Sequence, residues 1–449
     1  MGISTEDAVE VPRHWDVRRF SEVARVVKRV NRPELELLSV YLDPGVIRYS
    51  ESGGQVHKPS LDLSLYQHVQ PGDLVLNNQQ AWRGSVGVSK YEGIVSPAYV
   101  VCELSRQVNP RYANSLFRSP LMVDQMVTAS KGVGSIQRNL TMSYLRACKV
   151  PLPSLDEQQL IVRYLDHAEL RIAKAIAAKQ QVLELLRERR QSFVQATVLK
   201  GLAPDVDRAD TGVSWLGSVP AHWRVVRARE CFVERVEKSK EGAEELLSVS
   251  QYFGVRPTRQ VRKTDSQMLS RATTLVGYKV VLAGDLVVNT MLAWNGSMGA
   301  SPIDGIVSPA YAVYRPVAGV DTKYFQYLLT TPLLKGVIRA WSSGIQDSRL
   351  RLYPNKFFQI AVPLPSFEEQ KKISLYLDAQ LKSSDEAALA IMSEIALLKE
   401  YRTRLISDVV TGKLDVRDEA AKLPEIDPME LATVAVGENG DDEEATDDD

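Results

Sequence analysis

The sequence predicts a mixed α/β chain built twice: two tandem globular domains separated by two long antiparallel coiled-coil helices, with a pseudo-two-fold internal repeat. Three observations predict it. The segment GDLVLN…AWRGSVG…GIVSPAY, from Gly72 to Tyr99, returns as GDLVVN…AWNGSMG…GIVSPAY from Gly284 to Tyr311. The offset of 212 residues persists from Trp82 and Trp294 to VPLPS at Val150 and Val362, so the repeated unit includes its flanking segments. After each VPLPS the chain runs without Pro or Gly until Gly201 or Gly412. Solenoid periods are about 20–50 residues, so a repeat this long means two domains.

In chain order, VPRHWDVRRFSEV at Val11 and VPAHWRVVRARECF at Val219 open the two halves. Short apolar runs follow: LELLSVYL and DLVLN in the first half, LLSV and GYKVVLAGDLVVN in the second. Gly, Pro and Asn punctuate them, which reads as strands and turns. GDLV is a turn entering a buried strand, and SPAY is a bend with a buried tyrosine before the next strand. DTKYFQYLLTTPLLKGVI, from Asp321, reads as helix.

Each VPLPS ends a domain and starts a helix. Ser154 can cap the first, with Asp156 and Glu157 facing its positive dipole end, and Ser366, Glu368 and Glu369 repeat the arrangement. Each run of about 44 residues makes roughly 65 Å of helix. Ile161, Leu165, Ala168, Ile172, Ala175, Val182, Leu186 and Phe193 form an apolar stripe interrupted at Lys179. Leu377, Leu381, Ala388, Ile391, Ile395, Leu398 and Leu405 form the second, broken at Ser384 and Arg402. Such stripes need a partner helix, and an approximate two-fold axis makes the two helices each other's antiparallel partner. The expected divisions are a first domain (1–154), first long helix (155–200), linker (201–218), second domain (219–366), second long helix (367–412) and acidic disordered tail (413–449).

Composition narrows the function. The 44% hydrophobic and 25% charged content is that of an ordinary globular protein. No apolar run approaches the roughly 18 residues of a membrane span, and MGISTEDAVE does not read as a signal peptide. Cys102, Cys148 and Cys231 have no C-x-x-C spacing, which suggests a reducing cytoplasm, and the five histidines form no metal-ligand cluster. The net charge of −1 hides an asymmetry: residues 418–449 hold 13 acidic residues against Lys422 alone, leaving about +11 on residues 1–417. A basic body suggests a polyanionic partner. The tail reads as a solubilising terminus, with a DNA-mimicking competitor as the alternative.

Catalytic signals are absent. Asn109-Pro110-Arg111-Tyr112 resembles the N-P-P-Y motif of amino-methyltransferases, but Arg replaces the second proline and no F-x-G-x-G loop precedes it. There is no Walker loop, H-E-x-x-H or G-x-S-x-G. Asp62 and Asp73 lack the Asp…Glu-x-Lys grouping of many nucleases.

Binding signals are stronger. The loop after the first repeated strand carries Asn77, Asn78, Gln79, Gln80, Trp82 and Arg83; its counterpart carries Asn289, Thr290, Met291, Trp294 and Asn295. Asn, Gln and Arg make bidentate contacts with purine edges in the major groove. A second polar loop precedes each VPLPS, supplying Lys131, Gln137, Arg138, Asn139 and Arg146 in one half and Gln346, Arg349, Arg351 and Lys356 in the other. The framework repeats while these polar residues diverge, as expected if each copy reads a different short sequence. For Trp82 and Trp294 the competing reading is core packing, and some loop cations will contact only phosphates or solvent.

These residues resemble the specificity subunit of type I restriction–modification enzymes. The resemblance is carried twice by GDLV-N…AW-GS-G…GIVSPAY, by VPLPS with DEQ at Asp156 or EEQ at Glu368, and by long helices ending in TVLKGL or VVTGKLD, over about residues 11–415. It implies two target-recognition domains, each reading one half of a bipartite double-stranded DNA site. It implies paired helices that set the spacer and dock two modification (methyltransferase) subunits. The chain itself would then hold no catalytic residue, metal or cofactor. S-adenosylmethionine would belong to the modification subunits that methylate adenine, and ATP and Mg to a restriction subunit if one is present. Two domains would sit about one DNA turn apart, roughly 34–36 Å. The alternatives are a protein-only coiled-coil scaffold, a self-contained methyltransferase or nuclease, and a methylation-only complex.

Overall fold

The computed structural model describes residues 11–42, 44–51, 59–131, 138–251, 254–258, 274–344, 350–427 and 430. The chain forms two units, Met1–Gln180 with Met392–Asp449, and Gln181–Ile391. The boundary falls inside both long helices.

In the first unit the repeated GDLVLN forms the strand Leu74–Asn77, entered through Gly72 at φ 93. It lies in a four-stranded antiparallel sheet ordered Ala24–Val27, Tyr99–Leu104, Leu74–Asn77, Val86–Val88. Alternate side chains of a strand face opposite ways. Leu74 and Leu76 therefore join Cys102, Leu116 and Phe117 in one core, and Val75 and Val101 join Val40, Val69 and Val95 in another. Both faces are covered, which is why the strand reads as an unbroken apolar run.

The second unit repeats this arrangement. Its sheet is ordered Phe232–Glu234, Tyr311–Pro316, Leu286–Asn289, Met298–Ala300. Leu286 and Val288 face the larger core and Val287 the smaller. The glycine of each GIV has a packing reason: a Cβ on Gly93 would lie 2.6 Å from the Glu36 carbonyl, and on Gly305 2.5 Å from that of Glu245.

Several local expectations change under packing. The run from Asp321 is two helices, Thr322–Leu329 and Pro332–Trp341, because Pro332 starts a new one. The SPAY tyrosines, Tyr99 and Tyr311, are half-buried and begin the following strand. Residues 201–218, expected as a linker, enter the second core. Arg208–Asp210 pairs with Ser218–Pro220, and Leu216 is buried.

The long helices span Leu155–Lys200 and Phe367–Val410. Ser154 and Ser366 cap them, each hydroxyl accepting from the N–H of Glu157 or Glu369 at 3.3 Å. The following glutamines are fully buried staples. Gln158 accepts from the N–H of Asn109 and donates to the carbonyls of Gln107 and Pro153. Gln370 does the same with Asp321, Gly319 and Pro365. Glu157 accepts from the Trp15 indole at 2.9 Å and pairs with His14 at 3.1 Å, and His222 repeats the pairing with Glu369.

Within the first unit, Ile161, Leu165 and Ile172 pack in one core with Leu405, Val409 and Val410. Glu169 pairs with Arg402 and Lys179 with Glu394, so the two segments run antiparallel. Within the second, Val194 and Val198 share a core with Ile373, Leu377 and Leu381, and Arg190 pairs with Asp385. The expected stripe needs one correction. Val182 is 46% exposed and Leu183 is buried in its place, as a straight helix drifts about 20° per heptad from a strict seven-residue seam.

The acidic tail starts later than expected from composition. Val416 is buried in the first core at the start of a short helix, Arg417–Lys422, on which Ala420 is also buried. Beyond it, Glu425 pairs with Arg163 and Glu430 with Lys174. Residues 431–449 lie outside the described residues.

Candidate nucleic-acid interface

In the first unit the strand Leu74–Asn77 leads into a tight turn, Ala81–Arg83, closed by Gly84 at φ 101. The Asn77 carboxamide accepts from the Gln79 N–H at 3.1 Å, and the Trp82 indole donates to the Gln79 carbonyl at 2.9 Å. Gln79 and Arg83 are exposed, and Asn78, Gln80 and Trp82 are half-buried.

The second polar loop meets this turn. Asn78 accepts from the Leu140 N–H through its side chain and its backbone carbonyl, both at 3.1 Å. Asn139, exposed, pairs with Lys131 in a two-residue ladder. Arg83 and Arg138 each bring a guanidinium to 5.2 Å from the centre of the Trp82 ring. Asn78, Trp82, Arg83, Arg138 and Asn139 thus form one cluster from two separate loops. Gln137 lies outside the described residues. Arg146 is exposed on the helix Met142–Ala147.

The second unit keeps the frame and changes its chemistry. Trp294 donates to the Met291 carbonyl at 3.1 Å, and the Leu352 N–H donates to the Thr290 carbonyl as Leu140 does to Asn78. Asn289 is only 5% exposed, and its carboxamide oxygen accepts from the Met291 N–H. That takes Asn289 out of the reading set. The Asn295 carboxamide oxygen accepts from the N–H and hydroxyl of Ser297, so it too holds the turn. Arg351 exchanges two backbone bonds with Ser343, and its Nη1 is buried with no hydrogen-bond partner. Gln346 and Arg349 lie outside the described residues.

Two cations absent from the sequence-based candidates stand at this turn. Arg339 lies with its guanidinium 5.4 Å from the Trp294 ring centre, and Lys335 packs beside Gly296. Both come from the helix Pro332–Trp341. Repeat comparison hides them, because the 212-residue offset places Val127 and Val123 at the matching positions. Lys356 lies over Trp341 at 5.7 Å.

Other candidates are structural. Asp73 is buried and holds Arg29 through two hydrogen bonds; Asp285 holds Arg235 likewise. These bonds raise both arginines above their ordinary range, outweighing burial. The N-P-R-Y motif is a helix start: Asn109 accepts from the N–H groups of Arg111 and Tyr112, Pro110 opens the helix, and Tyr112 is fully buried. Among the described residues no group of three or more His, Cys, Asp or Glu could hold a metal ion. No helix there is long and apolar enough to cross a membrane.

Residues 12–185 match the family described as type I restriction modification DNA specificity domain. The chain is 22% identical over 435 residues to the type I restriction enzyme MjaVIII specificity subunit of Methanocaldococcus jannaschii, covering 91% of this chain and 95% of that one. It is 20% identical over 443 residues to the putative MjaX specificity subunit of the same organism, with the same coverage. Its fold is similar to a chain solved in work on complex assembly and conformational transition of the type I R-M system, with a TM-score of 0.60 at 19% identity. That match covers 90% of this chain and 100% of the other.

Proposed function

We propose that the chain is a specificity subunit of a type I restriction–modification system, which the match over residues 12–185 and the similar specificity subunits support, and that its two domains each read one half of a bipartite DNA site. It is a DNA-recognition subunit, not a catalyst. The observation that carries the division of labour is the turn after the repeated strand. The frame is the same in both copies, down to the indole-to-carbonyl bonds of Trp82 and Trp294. The groups around that frame differ: two arginines from loops in the first copy, a helix-borne arginine in the second.

In this reading the first cluster contacts DNA through Asn78, Gln79, Gln80, Arg83, Arg138 and Asn139, with Gln137 and Lys131 on the same loop. The second uses the loop carrying Gln346, Arg349 and Arg351. Affinity comes mainly from phosphate contacts and falls steeply with salt, while each well-made base contact discriminates by about 1–3 kcal/mol. The paired helices set the spacer between half-sites and dock the modification subunits. Those subunits supply S-adenosylmethionine and flip the target adenine, as enzymes acting on a base in a duplex must. ATP and Mg enter with a restriction subunit where the complex has one, and the assembly works in the cytoplasm.

The test is to co-express the chain with its modification subunit in a methylation-free host and map methylated adenines across the genome. A two-part motif with a fixed gap is the expected result. A stable complex that leaves no motif would overturn the reading in favour of a protein-only scaffold.

A further inference from the structure

Four positions around the repeated tryptophan change together between the copies. Arg83 becomes Asn295, whose carboxamide oxygen is bonded to Ser297. Arg138 becomes Leu350, which is buried. The turn thereby loses both cations that flank Trp82. In the same exchange Val123 becomes Lys335 and Val127 becomes Arg339, one helical turn apart on the helix that packs against this loop. A Cβ added at Gly84 would meet Val123 at 3.6 Å, and at Gly296 it would meet Lys335 at 2.5 Å, so the helix stands against the turn in both units. The guanidinium lost from the loops returns over Trp294 from another element, at 5.4 Å.

An indole needing only cover would be served by an aliphatic side chain. Restoring a cation from a different part of the chain points to a requirement for positive charge at that place. A guanidinium at this turn brings the planar set of N–H donors that matches phosphate oxygens or a guanine edge. We propose that Arg339, supported by Lys335, is a further DNA-contacting residue of the second domain, beside its polar loop, and replaces there the loop arginines Arg83 and Arg138 of the first. Burial, with Arg190 adding repulsion, holds the Lys335 ammonium below its ordinary range.

The inference rests on the two-domain reading above, and its test separates the two. Complexes of the full chain with its modification subunit would carry Arg339→Ala, Arg339→Met or no change. Each would be scored by genome-wide methylation and by duplex binding across a salt series. Arg339→Ala is expected to weaken binding about tenfold, the size of one good contact. A motif relaxed at one position of one half-site assigns Arg339 to a base. An unchanged motif with the salt slope reduced by about one assigns it to a phosphate. Arg339→Met covers the indole without charge and must behave like the alanine variant; wild-type binding by Arg339→Met would reduce the role to packing and overturn the proposal. So would wild-type motif, affinity and slope in Arg339→Ala. A wild-type complex that gives no two-part motif would instead defeat the function proposed above.

Discussion

The hydroxyl of Tyr112 donates to the backbone carbonyl of Val410 at 3.2 Å, joining residues 298 positions apart. Tyr324, its repeat, donates to Val198 at 3.1 Å. Each domain thus holds the C-terminal end of a long helix by the carbonyls that a helix end leaves unpaired. Burial drives both phenols far above their ordinary range, so they remain donors at any working pH. Tyr112→Phe or Tyr324→Phe should lower stability by about 1–2 kcal/mol, read as a shift in denaturant midpoint. An unchanged midpoint would mean that the bond contributes nothing net.

Gln158 and Gln370 should be more sensitive. Replacing Gln158 with Leu leaves one buried N–H and two carbonyls without their partner. The expected loss is about 2–3 kcal/mol, and Gln158→Glu should not rescue it, since a carboxylate cannot donate to the two carbonyls. Thermal unfolding of the three proteins is the check.

Arg138→Ala and Arg83→Ala should alter recognition of one half-site and leave the other untouched. Gln137→Ala should do likewise, and Gln346→Ala or Arg349→Ala should affect the opposite half. Methylation mapping of each variant reads this directly, and equal weakening of both halves by any one change would defeat the one-domain-per-half-site model.

Inserting one heptad into residues 180–190, with seven compensating residues opposite in the second helix, should lengthen the preferred gap between half-sites. The motif of the elongated protein gives the answer. A gap that stays the same would remove the spacer role from the helices.

The three thiols are buried, and burial pushes Cys102 and Cys231 up to about 12 and Cys148 up to about 11. The native protein at pH 8 should show no rapidly reactive thiol toward a disulfide reagent, and three after denaturation. The unfolded chain releases these protons near its ordinary value of 9 while the folded chain keeps them. Stability from this source is therefore complete below pH 9 and declines as pH rises through 11 to 12. A native thiol that reacts at pH 8 would contradict the buried placement.

The amino-acid sequence by itself determined the duplication, the strands at GDLV, the capped starts at Ser154 and Ser366 and the two uninterrupted helices. Each is written in residues a few positions apart, where turn chemistry and side-chain period act. Only the tertiary structure decided which distant loops meet. Arg138 reaches Trp82 because the sheet brings Leu140 onto Asn78, and Arg339 reaches Trp294 because a helix packs behind the turn. The same packing turned Asn289 inward, moved the helix seam from Val182 to Leu183, and buried Val416 and Ala420 of an acidic stretch. Local period cannot contain these outcomes. They depend on which surfaces are left to cover once all the elements have formed.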